Sequence, residues 1–463
     1  MDLIGRIHDS LSMHVLTPFS RLHRSSRPST KPTQHAFDNG LQFRRDSAAW
    51  NIERRTNWIL ERLRSIVRRA YEETIFYREL LDRNAFDPYA EFDFSDFSHL
   101  PVLTREDIHE AGLKVLSSSV PADQLRKDRT GGSTGVPTEI WLGPNERGWR
   151  DSGMERFFEI LRVPEGSRTA LFWGHHLDPG AADSLRERYQ AFVSNVRWFD
   201  SLRLSPHTLD EYHNQLERFR PAYIVAYASA LGHLAEHILA RDYKPNYPTR
   251  CLVTGGEKLW SRHRSLIEEA FGRPVHERYG SRDAGCIGVQ LDPTNTLDYT
   301  VDWAYVLVEP ELPQSESAIL ITKLQADGMP MIRYRIGDVG HFPGGSKPGH
   351  PTFILHDVVG RITDRIFLPG GGWVVGLGVP HLLKDYPVRE FQLLQRQDHS
   401  VELQIVPQTD FDETSLCSIQ SLLAQNLPGL QIKIEFKESI VRTKSNKWRP
   451  VISEIKTDSQ VFV

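Results

Sequence analysis

At 463 residues, 39% hydrophobic and 25% charged, the chain has room for two or three domains of ~100–200 residues and the composition of a globular protein. A net charge of −4 argues against a general nucleic-acid binder, and no apolar run approaches the ~20 residues needed to cross a bilayer. Cys251, Cys286 and Cys417 are scattered and odd in number, which excludes a disulfide framework and a CxxC metal site and points to the reducing cytoplasm.

The first twenty residues are mildly amphipathic but interrupted by Asp2, Asp9 and His14, so a secretory signal is not expected. With the basic, Ser/Pro-rich stretch that follows, they read as a flexible leader over 1–45, the alternative being a partner-docking helix and linker. Trp58, Leu60, Leu63, Ile66 and Val67 recur at helical spacing and predict one helix over 51–81. Thr104 and Asp107 form a capping pattern ahead of a short helix.

From about residue 168 strands and helices alternate. Strands at 168–176, 221–227, 250–255 and 274–280 are separated by helices at 206–220, 231–242 and 261–272. This pattern predicts an α/β domain with a largely parallel sheet, whose ligands bind beyond the carboxyl ends of the strands. Three β segments follow, over 305–310, 317–324 and 331–342. Paired strands at 389–407, a helix at 412–427 and a strand at 430–440 then predict a small α+β domain. The organisation read from the chain is a leader (1–45), a large domain (46–362) and a small C-terminal domain (363–463), with Gly370–Gly372 close to the boundary.

The stretch "DRTGGSTGVPTEIWL", 128–142, concentrates three glycines and four hydroxyl residues. It is neither a P-loop nor a GxGxxG turn. Consecutive glycine N–H groups can point at one anion, and Thr130, Ser133 and Thr134 add donors; by itself the stretch is equally a structural hairpin. Further glycine or carboxylate turns come in "LVTGGEKL" (252–259), "YGSRDAG" (279–285), "YRIGDVG" (334–340) and "GRITDR" (360–365), and "RTKSNKWRPV" (442–451) places a lysine near the end.

Taken in that order, these segments resemble the adenylate-forming enzymes, which include acyl-CoA synthetases, luciferases and peptide-synthetase adenylation domains. The nearest branch is that of phenylacetate–CoA ligases and their CapK-like capsular-polysaccharide relatives. "RTGGSTGVPT" is similar to the family's phosphate loop, "RPAYIVAYASALGHLA" to a Tyr/Ser-containing strand–helix segment, and "MIRYRIGDVG" to its ribose turn. The resemblance runs from about Trp58 to Ile455 and leaves the leader outside.

The resemblance implies a large α/β domain with mixed, largely parallel sheets and a small mobile α+β domain. It implies that ATP and a carboxylic acid form an acyl-adenylate with release of pyrophosphate, after which a thiol such as CoA or a carrier protein takes the acyl group. Alternatives are transfer to an amine, forming an amide, and a nucleotide-binding homologue without turnover. Thr130, Gly131, Gly132, Ser133, Thr134 and Gly135 would cradle phosphates, with Thr134 or Ser133 the main hydroxyl donor. Gly255, Gly256, Glu257, Tyr279, Gly280 and Ser281 would line the nucleotide cleft. Asp338 would accept both ribose hydroxyls, since a carboxylate offers two acceptor oxygens to a vicinal diol. Arg361 would touch ribose or phosphate, or be a surface arginine in a hinge turn.

Asp283 stands where the family usually has Glu and would bind Mg²⁺; as a bland alternative it caps a helix. Lys447 would bridge the carboxylate and the α-phosphate, with Lys444 a second candidate. Asn446 replaces the family's glycine before this lysine, and Thr363 occupies the hinge position ahead of Asp364. Trp173, His175, Tyr227, Ala228 and Tyr279 are candidates for the acyl pocket and would suit a flat aryl acid, although aromatic residues of this kind also build cores. No nucleic acid and no membrane span are expected, and a homodimer is compatible with this reading.

Overall fold

The computed structural model describes residues 31–129, 138–173, 194–201, 204–292, 297–361, 365–369, 373–375, 383, 386–427, 429–441 and 450–455. They fall into two compact units, one of residues 31–336 with 340–358 and a second of 337–339 with 359–455.

The large unit begins with helix α1 (Lys31–Asp46), which lies within the expected leader. It packs along α4 (Pro144–Ile160) because glycines let the two backbones approach. A Cβ on Gly148 would fall 2.5 Å from the Thr33 carbonyl, and one on Gly40 2.5 Å from Ser152 Oγ. Arg44 fixes the pair: its guanidinium donates to Ser152 Oγ (2.9 Å), the Gly40 carbonyl (3.0 Å) and Asp302 (2.7 Å). Phe43 fills the remaining space among Trp50, Trp58, Trp149 and Trp303.

The helix expected over 51–81 is two helices, α2 (Ile52–Glu73) and α3 (Ile75–Arg83). Thr74 separates them. Its backbone is extended, its hydroxyl donates to the Ala70 carbonyl (2.8 Å) and accepts from Tyr77 N (3.1 Å). A threonine hydroxyl competes with the helical hydrogen bonds at such a point, so the apolar periodicity continues across a break that it cannot reveal. Ile59, Leu63, Ile66, Val67 and Ala70 form the buried face of α2. The capping pattern at Thr104 is a capping box on a helix over Arg105–Ala111.

Among the described residues the largest sheet has eight strands. Five are parallel, in the order β4 (Val196–Asp200), β3 (Thr169–Trp173), β5 (Tyr223–Ala226), β6 (Cys251–Gly255) and β7 (Val275–Ser281). The antiparallel strands β8 (Gly285–Val289), β9 (Tyr299–Val301) and β13 (Ile354–Leu355) extend it. Helices α5 (Pro206–Phe219), α6 (Ala228–Ala240) and α7 (Ser261–Phe271) connect the parallel strands, as the alternating texture predicts. Ile224, Leu231, Leu234, Leu252 and Ile267 are fully buried between sheet and helices. Each such side chain contributes about 1.5–3 kcal/mol of apolar burial.

A hairpin of β1 (Arg126–Arg129) and β2 (Glu139–Leu142) carries the glycine-rich stretch between its strands. A further sheet contains β10 (Val306–Pro310), β11 (Glu316–Lys323), β12 (Tyr334–His341) and β14 (Asp357–Arg361). The small unit contains β15 (Arg365–Phe367) and β16 (Trp373–Val375), which pair with each other. Its main sheet runs β19 (Ile432–Phe436), β18 (Val401–Pro407), β17 (Val388–Gln395), β20 (Val451–Ser453). Helix α8 (Glu413–Asn426) packs on it through Ile419 and Leu423, against Leu393, Leu403 and Ile405. No described helix is long and apolar enough to cross a membrane.

Removing the Arg44 side chain leaves Asp302 without its partner in a largely buried setting, where the Arg44 side chain is 6% exposed. Arg44→Ala is expected to lower stability by about 3 kcal/mol, read from urea unfolding.

Candidate active site

Register places the site. Phe172 lies opposite Ala226, Ala226 opposite Thr254, and Gly255 opposite Arg278, so the parallel strands end level with one another. The residues just past those ends therefore share one edge of the sheet. Trp173 ends β3, Tyr227 follows β5, Gly255 ends β6 with Gly256 and Glu257 after it, and Tyr279–Ser281 end β7 with Asp283 in the turn beyond.

Trp173 and Tyr227 stack with ring centroids 4.3 Å apart and planes 23° apart. Gly256 lies against them. Its φ is +79°, and a Cβ there would come within 3.0 Å of the Tyr227 ring and 3.7 Å of Trp173. Glycine is required here for both its conformation and its lack of a side chain. Ala228 opens α6 and packs in the core with Leu231 and Leu252. Glu257 turns back across the edge, and its Oε2 accepts a hydrogen bond from Ser229 N at 3.0 Å. It thereby serves the start of α6, which has no cap from its own Tyr227 side chain.

Tyr279 is buried, its ring edge-on to Tyr299 at 6.0 Å. Gly280 sits in a tight crossing where a Cβ would fall 2.2 Å from the Gly285 carbonyl. Ser281 Oγ accepts from Ala284 N (3.1 Å) and closes the turn between β7 and β8. Asp283 lies in this hairpin turn, with no helix after it, so the helix-cap alternative does not apply. Its carboxylate is 3% exposed, and Oδ2 accepts from the Tyr334 hydroxyl at 3.0 Å.

Asp338 occupies an inward position of β12 and is buried. Gly337 before it has a φ of +89° with open space around it. Arg361 closes β14. Thr130–Gly135, His175, Thr363, Asp364, Lys444, Asn446 and Lys447 lie outside the described residues.

Several charged residues of the large unit escape sequence reasoning. Glu277, in the middle of β7, is buried, accepting from Leu259 N at 3.0 Å, and burial pushes its carboxyl above the ordinary value. Lys258 bonds Asp357 and the Val358 carbonyl, the latter at 3.0 Å. Arg333 pairs with the buried Glu309 and donates to the Ser98 and Leu100 carbonyls. Beneath the Asp283 turn, Glu146 and Lys323 form a fully buried ion pair at 2.9 Å. The one signal for these groups is a charge at an inward position of an apolar strand, as with Lys323 after "AILIT".

Mg²⁺ takes hard oxygen donors and is commonly held by one or two carboxylates plus phosphate and water. Asp283 supplies one such carboxylate, already turned by Tyr334. The described residues contain no group of three His, Cys, Asp or Glu side chains able to hold a metal.

No family model matches the chain. It is similar to Protein CapK of Staphylococcus aureus, 20% identical over 392 residues, spanning 82% of this chain and 85% of CapK. It is also similar to the phenylacetate-coenzyme A ligase of Thermus thermophilus, 24% identical over 332 residues, spanning 67% and 71%. Among solved structures, 2-hydroxyisobutyryl-CoA ligase in its postadenylation state superposes with a TM-score of 0.68 at 19% identity, covering 88% of this chain and 90% of that one. At that identity the superposition shows a shared fold: mixed α/β, with a large sheet that is parallel in part.

Glu257→Ala removes the acceptor from the first turn of α6 and is expected to cost about 1 kcal/mol in urea unfolding.

Proposed function

We infer the function of this chain from its place in the adenylate-forming superfamily, to whose phenylacetate–CoA ligase and CapK-like branch it belongs. It is an adenylate-forming ligase: it joins a carboxylic acid to the α-phosphate of ATP and passes the acyl group on. The observation that carries this reading is the row of aromatic, glycine and carboxylate turns along one edge of the parallel sheet.

In the first step a carboxylate oxygen attacks the α-phosphorus, the bond to the bridging oxygen of the β-phosphate breaks, and pyrophosphate leaves. Both reactants are anionic, so catalysis depends on positive charge and aligned donors where charge accumulates. Thr130–Gly135 supply N–H and hydroxyl groups for the phosphates, Thr134 or Ser133 being the main hydroxyl donor. Lys447 sets its ammonium between the carboxylate and the α-phosphate, with Lys444 the substitute if it does not. Asp338 accepts the ribose hydroxyls, and Arg361 adds a contact to ribose or phosphate. Gly255, Gly256 and Tyr279–Ser281 border the adenosine. Asp283 would hold Mg²⁺, which would neutralise phosphate charge, and the Tyr334 hydroxyl fixes its Oδ2.

In the second step a thiolate attacks the acyl carbonyl and AMP leaves, giving a thioester; CoA is the acceptor favoured here. Trp173 and Tyr227 present an aromatic wall that suits an aryl or similarly small acid, and His175 is a further candidate from the sequence. A cytoplasmic location is part of this reading, three scattered cysteines being suited to a reducing compartment.

ATP–pyrophosphate exchange against aryl, fatty and amino acids tests this reading. Exchange is expected with a small aryl acid, followed by thioester formation when CoA is added; amide formation with an added amine would move the acceptor to that class. No exchange with any acid, in a protein that still binds ATP, would replace the ligase with a nucleotide-binding homologue. Lys447→Ala is expected to cut exchange by about 100-fold or more while ATP still binds. Near-normal exchange in that variant would transfer the role to Lys444. Asp338→Ala is expected to weaken ATP binding by roughly 10-fold, measured by calorimetry.

A further inference from the structure

We propose that Arg150 is a positioning residue for the metal-binding carboxylate: from helix α4 it clamps the turn that carries Asp283. The inference rests on the reading of Asp283 as the Mg²⁺ ligand and adds to it a residue with no place in the sequence motifs.

The Arg150 guanidinium lies under the 281–285 turn and engages it from two sides. Its Nη2 donates to the carbonyl of Arg282, the residue before Asp283, at 3.0 Å. Gly285, the residue that closes the turn, has a φ of +73° and folds directly over it, so that a Cβ there would fall 2.8 Å from Arg150 Nε. The third restraint on this turn comes from β12, where the Tyr334 hydroxyl donates to Asp283 Oδ2. With the carbonyl before Asp283 and its own carboxylate both held, the remaining freedom of that carboxylate is small.

A guanidinium can hold a turn only if it is itself held, and the start of α4 does this. The Asp327 carboxylate accepts from Asn145 N (2.8 Å) and Glu146 N (3.1 Å), fixing the first turn of the helix. Gly143 makes room for it, because a Cβ there would fall 2.2 Å from Asp327 Oδ1. In the same turn Glu146, fully buried, accepts from the Tyr305 hydroxyl (2.9 Å) and pairs with Lys323 Nζ (2.9 Å). Its Oε1 is also 4.0 Å from Arg150 Nη1. Glu146 Oε2 and Arg150 Nη1 are buried with no hydrogen-bond partner among the described residues. Burial draws the Lys323 ammonium below its ordinary pKa, and Glu146 opposes that shift.

The same stretch of chain reaches the turn a second time. Asp128, in β1 just before the glycine-rich stretch, lies 3.8 Å from Arg282 Nη1. The run from β1 through β2 to α4 thus holds the Asp283 turn at Arg282 by side chain and by backbone. Groups that orient a metal ligand from behind typically change metal affinity by about 10–100-fold.

Lysine is the informative replacement. It keeps a positive charge near Glu146 but cannot make the planar, two-sided contact with the turn. Arg150→Ala strips the buried cluster of a charge and risks unfolding, so Arg150→Lys is the primary variant, with urea unfolding as its control for folding.

The experiment uses the full chain with α,β-methylene ATP and Mn²⁺ as the probe, free Mn²⁺ being read by electron paramagnetic resonance. Arg150→Lys is expected to weaken Mn²⁺ binding by about 10-fold or more, while affinity for the analogue in EDTA stays within twofold. A general structural defect would lower both affinities together and would overturn the proposal. Asp283→Asn is the control for the underlying reading. If it abolishes Mn²⁺ binding and Arg150→Lys leaves the affinity within twofold, the positioning role is wrong and Asp283 remains the ligand. If Asp283→Asn binds Mn²⁺ as the unaltered protein does, the assignment of Asp283 itself fails, and the proposal with it.

Discussion

The site depends on the level register of the parallel strands. Because Phe172, Ala226, Thr254 and Arg278 or their neighbours pair across β3, β5, β6 and β7, four strands stop along one line. Segments about 25 to 55 residues apart in the chain are thereby set side by side. A register slip of one residue would turn each strand over and bury what now faces the edge. Core residues such as Ile224 and Leu252, fully buried between sheet and helices, resist that slip, so the packing of the interior fixes the geometry of the rim.

Along that rim the backbone approaches side chains and other backbone very closely, and this explains the glycines better than flexibility does. Gly256 lies against the Trp173–Tyr227 stack, and Gly280 crosses the Gly285 carbonyl. Elsewhere Gly148 brings α1 onto α4 in the same way. In each case any side chain would displace a neighbour held by its own packing.

Buried ion pairs supply the second organising theme. Arg44–Asp302 joins α1 to the body of the large unit, Arg333–Glu309 anchors the start of β12, and Glu146–Lys323 fixes the beginning of α4. Such pairs add little net stability over apolar residues of equal size, since desolvation offsets attraction. They are demanding about geometry, however, and each is stitched to backbone groups or hydroxyls nearby. Arg333 also accounts for part of the "RYR" motif: it bonds the Ser98 and Leu100 carbonyls and so serves structure beside the residues assigned to the nucleotide.

The sequence by itself determined the strand–helix alternation, the glycine turns and the order of motifs, because those signals are local and survive in a linear reading. It also marked Asp283, Asp338, Trp173 and Tyr227 as residues of interest. Tertiary structure alone decided what several of them touch. Thr74 breaks a helix whose apolar spacing runs on unchanged, and Glu257 reaches back to Ser229. Asp283 sits in a hairpin held by Tyr334, 51 residues away. Glu146 and Arg150 look like ordinary surface charges in the sequence, and Lys323 is marked only by the apolar run before it. Periodicity reports which face of an element is apolar, whereas a buried charge is defined by the element that packs over it, and that pairing exists only in the folded chain.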